Sequence, residues 1–187
     1  MSEFEQMLLD QCAPTIFGVK QANLFSCSKE NKQEVLAELK RYNGCGSTSG
    51  MQFKILYECK NRIFIIAYRK KAMQHYFALT EAKEFLLQQG YPKTENVETL
   101  LQYLKYRIEK WEEFPHEIGL FLGYPLMDVK DFIAKKGLHF KFCGYWKVYS
   151  NEETAKKIFQ RYEKCKEVIR YKVTKGIPLT ELVGMAC

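Results

Sequence analysis

The chain has 187 residues, 47% apolar and 14% aromatic, with 29 Lys and Arg against 22 Asp and Glu, a formal charge of +7. That length buries a core without help from disulfides or metals, and that apolar content excludes intrinsic disorder. The longest apolar run, Ile63–Tyr68, falls far short of the roughly 18 residues of a membrane span.

The opening residues, Met1-Ser-Glu-Phe-Glu5, are acidic where a secretory signal is basic. Residues 3–10 are expected to form a short helix, broken at Cys12-Ala-Pro-Thr15. From Asn31 to Tyr42, Val35, Leu36 and Leu39 share one side, which predicts an amphipathic helix ending at Asn43 and Gly44. Gly44-Cys-Gly-Ser-Thr-Ser-Gly50 reads as a flexible loop. Phe53, Ile55, Tyr57 and Cys59 alternate with Lys54 and Glu58, the pattern of a half-buried strand. Ile63 to Tyr68 is apolar on both faces, as a more central strand is. Lys60-Asn61-Arg62 joins the two as an antiparallel hairpin.

Residues 71–89 read as one helix, stopped by Gly90-Tyr-Pro92. Thr94 is placed as the cap of the next, near 95–113, with Glu95 in its first turn. Val97, Leu100, Leu101, Leu104, Ile108 and Trp111 keep its 3.6-residue period. Pro115 opens a short helix through Leu122 that Gly123 closes; Pro125 opens another that Gly137 closes. Phe140 to Tyr149 is one strand or a tight pair. Asn151 caps a long helix over 151–173 carrying Ala155, Ile158, Phe159, Tyr162, Cys165 and Ile169. Residues 176–187 are expected to be a flexible C-terminal tail. Strands bunched in two places among helices predict an α+β fold in a single globular domain over 1–187. It has a small antiparallel sheet, several helices and a helix-turn-helix-like corner.

The seven cysteines are an odd number and no two are spaced as CxxC. No metal site and no cofactor are expected; the thiols read as free and mostly buried, in a reducing cytoplasm. Cys187 is the last residue, where a prenylation box has its Cys fourth from the end. The positive charge is spread along the chain, with no run of five basic residues, and favours anionic partners weakly.

Four segments invite a chemical reading. Glu117 to Phe132 has the pattern of a DNA-binding corner, with Gly119 at the helix crossing and Gly123 at the turn. Its outward residues include Pro125, Leu126, Met127 and Asp131, none suited to base edges, and residues 116–137 are neutral. DNA is therefore not an expected partner. Phe140-Lys-Phe-Cys-Gly-Tyr-Trp-Lys-Val-Tyr149 interleaves aromatics with lysines, as a strand that stacks unpaired bases does; alternation alone also makes it a core strand. Cys12, near a helix end, and His116 would supply a thiol nucleophile and its base. Glu117 points too far from His116 to orient it, so Asp128 or another distant carboxylate would serve. The glycines of 44–50 lack the Lys-Ser/Thr ending of a phosphate loop and precede a strand.

Phe114-Pro-His-Glu-Ile-Gly-Leu-Phe-Leu-Gly-Tyr-Pro125 and Cys143-Gly-Tyr-Trp-Lys-Val-Tyr149 are long and unusual. With Cys12-Ala-Pro-Thr15, Lys20, Asn23, Ala67-Tyr68-Arg69 and Gly90-Tyr91-Pro92, the sequence resembles, nearly end to end, a family of uncharacterised proteins from Clostridia and related anaerobes, domain of unknown function 3793. The resemblance implies one domain in an anaerobic bacterial cytosol, and it carries no site.

The residues in the distinctive segments point first to a cytosolic binding protein. Its pocket would be lined by Cys12, Lys20, Arg69, His116 and Trp146 and would take a small anionic ligand or a protein partner, with no membrane involved. A thiol-dependent hydrolase or transferase using Cys12 and His116 is the enzyme alternative. Single-stranded nucleic acid on the 140–149 strand is the third reading.

Overall fold

The structure, a computed structural model, describes residues 1–47, 49–111 and 114–185. Contacts divide the chain into two units, Met1–Met73 with Lys164–Cys187, and Gln74–Glu163.

In the first unit, α1 (Glu3–Gln11) opens with a capping box: Ser2 Oγ accepts from Glu5 N while the Glu5 carboxylate accepts from Ser2 N. The chain breaks at Cys12, and Pro14 sits in the first turn of α2 (Ala13–Ile16). β1 (Ala22–Ser28) follows, a strand the sequence reading did not place; Phe25 and Cys27 are buried while Ser26 and Ser28 are half-exposed. α3 (Lys32–Gly46) buries Val35, Leu39 and Tyr42 and leaves Leu36 exposed. It runs past Asn43 and Gly44 because Asn43 is held by the next strand. Its amide donates to Phe53 O at 3.0 Å and its oxygen accepts from Phe53 N at 2.8 Å. The first half of the expected 44–50 loop is thus helix; Thr48 lies outside the described residues.

β2 (Met51–Glu58) and β3 (Arg62–Arg69) form the expected hairpin, and β3 is central in an antiparallel sheet of order β1-β3-β2. A bulge between Ile55 and Tyr57 breaks the alternation expected for β2. Leu56 is buried, Tyr57 stacks on Phe64 at 4.2 Å, and Cys59 is exposed. The core lies on one face of the sheet, around Phe4, whose ring is 5.3 Å from Phe25, 5.4 Å from Tyr42 and 5.8 Å from Phe53.

The second unit starts within α4 (Lys70–Ala78), and α5 (Thr80–Gln88) follows. The single helix expected over 71–89 is broken at Leu79, whose backbone is extended. On a continuous helix the buried pair Met73 and Phe77 would lie roughly opposite Ala82, Phe85 and Leu86; the break turns both sets inward. α6 (Val97–Lys110) is capped by Asn96, which accepts from Thr99 N, whereas Thr94 accepts from Asn96 N. On its buried stripe Arg107 stands where Ile108 and Trp111 were expected, and Trp111 is exposed. Glu112 and Glu113 lie outside the described residues.

α7 (Ile118–Phe121) starts three residues after Pro115, and with α8 (Leu126–Ala134) makes the helix-turn-helix-like corner. β4 (Phe142–Cys143) and β5 (Lys147–Val148) are a tight antiparallel pair. α9 (Glu152–Thr174) begins at Asn151, which accepts from Thr154 N; it belongs to the second unit up to Glu163 and to the first from Lys164.

The expected tail is instead α10 (Leu179–Gly184), which buries Leu179, Leu182 and Val183 in the first unit's core. Their spacing is helical, and Ser49 Oγ donates to Val183 O at 2.7 Å. Cys187 lies outside the described residues. The architecture is α+β, and no helix among the described residues is long and apolar enough to cross a membrane.

Gly46 gives this packing a test. A Cβ there would stand 2.2 Å from the Met51 carbonyl oxygen, which is backbone and cannot swing away. Gly46→Ala should gain about 1 kcal/mol of helix propensity and lose about 1–3 kcal/mol to overpacking. Urea denaturation should therefore show a net loss of stability.

Candidate cleft of the second unit

Gly119 lets α7 and α8 approach. A Cβ at that position would meet Val129 Cγ2 at 2.9 Å and Tyr124 Cδ2 at 3.1 Å. In the first turn of α8, Asp128 is 2% exposed and accepts three hydrogen bonds: Trp146 Nε1 at 2.7 Å, Tyr149 N at 3.0 Å and Ser150 N at 2.8 Å. These bonds fix the β4–β5 hairpin beside the corner. Trp146 is further held by Tyr124, stacked at 5.2 Å, and by the edge of Phe159 at 4.5 Å. Gly144 sits so close to Phe159 that a Cβ would come within 2.2 Å of its ring.

Between corner and hairpin lies a half-open cleft of about 270 Å³. Ile118, Val129, Phe132 and Trp146 give it apolar walls; its polar lining includes His116, Lys147, the exposed Cys143 and the buried Asp128, whose oxygens are taken by the three donors above. His116 is exposed and meets Phe132 edge to face at 4.9 Å. Lys147 Nζ donates to Gly137 O at 2.9 Å and lies 5.7 Å from the Phe132 ring centre. Glu117, beside His116, is buried and fully engaged elsewhere. Arg107 Nε lies 2.7 Å from Glu117 Oε1, off the line of its N–H and so an ion contact rather than an aligned hydrogen bond. Tyr91 OH donates to Glu117 Oε1 at 3.0 Å.

The family described as "Protein of unknown function (DUF3793)" matches residues 8–183. The chain belongs to the DUF3793 family. No curated protein and no solved structure matches it.

Of the site residues read from this DUF3793 sequence, His116 and Trp146 line the same cleft. Cys12, Lys20 and Arg69 belong to the first unit. Cys12 is fully buried, and burial pushes its thiol well above the ordinary value, with Lys20 opposing. A buried neutral thiol is a poor nucleophile. Arg69 is buried and donates to backbone carbonyls: Nε to Thr15 O at 2.7 Å, Nη1 to Ser49 O at 3.0 Å and Nη2 to Ile16 O. Thr15 in turn donates to Asn23 Oδ1 at 2.7 Å. Along 140–149, Trp146 and Val148 are buried and Phe142 stacks on Phe159. Most of that aromatic face is therefore occupied by packing. Among the described residues, no three His, Cys, Asp or Glu side chains gather as a metal needs. The sequence reading missed Phe132, Cys143 and Lys147 as cleft residues. The signal was the Gly144–Tyr145 turn, which folds the aromatic strand back on itself.

Two measurements test these assignments. Asp128→Ala leaves three donors without their acceptor, at about 1 kcal/mol or more each. It should lower the melting temperature and shift Trp146 emission to the red, with Asp128→Asn milder in both. Lys20 is 5% exposed, and burial pushes it down from the usual 10.5 to about 8, with Cys12 opposing and Lys166 adding to the shift. The unfolded chain therefore holds the extra proton between about 8 and 10.5, and the residue's contribution to stability rises across that window. Lys20→Met should lose stability relative to the unaltered chain as pH rises from about 8 to 10.5, by up to about 3 kcal/mol across that window, in parallel denaturation series.

Proposed function

We propose that the protein is a cytosolic binding protein that takes a small anionic ligand with a flat, apolar body into the cleft of the second unit. The observation that carries this reading is Trp146, which Asp128 holds by its indole nitrogen as one wall of a half-open cleft whose lining includes Lys147 and His116. The cleft's volume lies just below the roughly 300–1,000 Å³ of ligand pockets, which favours a ligand no larger than one or two fused rings. Lys147 gives one hydrogen bond to Gly137 O, and an ammonium has three donors, so two remain for a carboxylate or phosphate. The cytosolic setting is supported by the free thiols of Cys12, Cys27, Cys45, Cys59, Cys143 and Cys165.

The sequence has two tryptophans, and Trp111→Phe leaves Trp146 as the reporter. Small aromatic carboxylates and phosphates screened against that variant should include at least one that quenches Trp146 saturably and raises the melting temperature. Lys147→Ala should weaken it about tenfold or more, the scale of a charged hydrogen bond. Lys20→Ala and Arg69→Ala should leave its affinity unchanged. If no compound binds, or Lys147→Ala binds equally well, the cleft is not the site.

A further inference from the structure

The segment joining α8 to β4 carries two large apolar side chains that stay exposed. Leu138 is 60% exposed and Phe140 41%, with Lys147 Nζ 5.0 Å from the Phe140 ring centre. They do not stand on a slack loop. Gly137 N donates to Phe132 O at 2.9 Å, Leu138 N to Lys135 O at 2.9 Å and Lys141 N to Val148 O at 2.8 Å. Lys147 Nζ holds the Gly137 carbonyl, and the Phe132 ring backs onto Gly137, 3.2 Å from where a Cβ would be. Lys136, Gly137 and His139 have φ of 50°, 73° and 57°, a region that residues with a Cβ occupy at a cost. The loop is therefore pinned in an unfavourable backbone conformation with two large apolar groups in water. The strain at Lys136 and His139 is a cost that folding does not repay at this loop, and it presents the two apolar groups side by side with the lysines.

The surrounding charge says what would cover them. Lys135, Lys136, Lys141 and Lys147 flank the pair. Asp131 offsets Lys135 at 3.3 Å. Lys141 and Lys147 give hydrogen bonds to the carbonyls of Ser150 and Gly137, which leaves their charge uncompensated. We propose that this loop docks the protein on the surface of an anionic phospholipid bilayer. Leu138 and Phe140 enter the boundary between headgroups and acyl chains, and Lys136 and Lys141, which the cleft does not use, face the lipid phosphates. This is attachment to a surface, distinct from a spanning segment, and it departs from the expectation that no membrane is involved. A single-stranded nucleic acid fits less well. Trp146 and Phe142 already pack inward, Leu138 has no ring to stack, and Phe140 alone is a poor platform.

The test is co-sedimentation of the full chain with vesicles of phosphatidylcholine, with and without phosphatidylglycerol. The protein should sediment with the anionic vesicles at low salt and stay in solution with phosphatidylcholine alone. High salt should weaken the association, as should the double substitution Leu138→Ser, Phe140→Ser, by about tenfold or more. Both positions are exposed, and an unchanged melting temperature shows that the fold is kept. Tyr171→Ser, an exposed aromatic of the first unit, should sediment as the unaltered chain does. Equal sedimentation with both vesicle types, none with either, or no effect of the double substitution overturns the proposal. Binding of a single-stranded oligonucleotide through Phe140 and the lysines, without vesicle binding, also overturns it and assigns the loop to nucleic acid.

Discussion

One buried carboxyl organises the second unit. Asp128 accepts from the Trp146 indole and from two consecutive backbone amides, Tyr149 and Ser150, just before α9 begins. A carboxyl is expensive to bury unless its oxygens find donors, and here one side chain engages three. The result is a tie between α8, the hairpin and the start of the long helix, reinforced where Phe142, Tyr145 and Trp146 pack on Phe159. Trp146 owes its position to this tie, and through Trp146 so does the wall of the cleft. Gly119 and Gly144 are the complementary constraint, because each removes a Cβ that would push the tied elements apart.

The first unit treats its buried charges in another way. Arg69 gives its guanidinium to the carbonyls that end α2 and to Ser49, so it closes open backbone ends where a ligand would otherwise be its partner. Thr15 and Asn23 extend the same polar knot. Residues that look chemical in the sequence are here occupied by the architecture. Arg107 and Glu117 behave similarly in the second unit, where Trp111 also covers the guanidinium at 3.9 Å. Polar residues of one distinctive motif can thus differ completely in availability. Glu117 is closed in, and His116, its neighbour, is open.

Much of the fold is legible in the sequence where one period runs uninterrupted. The stripe of Val97, Leu100, Leu101 and Leu104 and the run from Ile63 to Tyr68 give α6 and the central strand directly. Legibility fails where the period changes phase without punctuation. Leu79 breaks a helix with neither Gly nor Pro to announce it, and Leu56 bulges from a strand that alternates well on paper. The last helix is hidden by brevity, since three apolar residues after Pro178 are too few to stand out. At the site, His116 and Trp146 are legible because their segments are unusual. Lys147 and Phe132 join them through contacts across the chain, the Asp128 tie and the bond of Lys147 to Gly137 O, that no local pattern encodes.

The two units are unequal in how the chain supplies them. Gln74–Glu163 is continuous, while the other needs both ends of the sequence. The core around Phe4 and Val35 is completed by Leu182 and Val183, and α10 packs on α3. On a ribosome adding 5–20 residues per second, the N-terminal sheet and its helices wait roughly 5–20 s between the synthesis of β3 and the arrival of their sealing helix. Through that interval an apolar face stands uncovered in the nascent chain, while the middle of the protein is free to fold first. The order of synthesis thus leaves the first unit's packing to be finished by the last residues described.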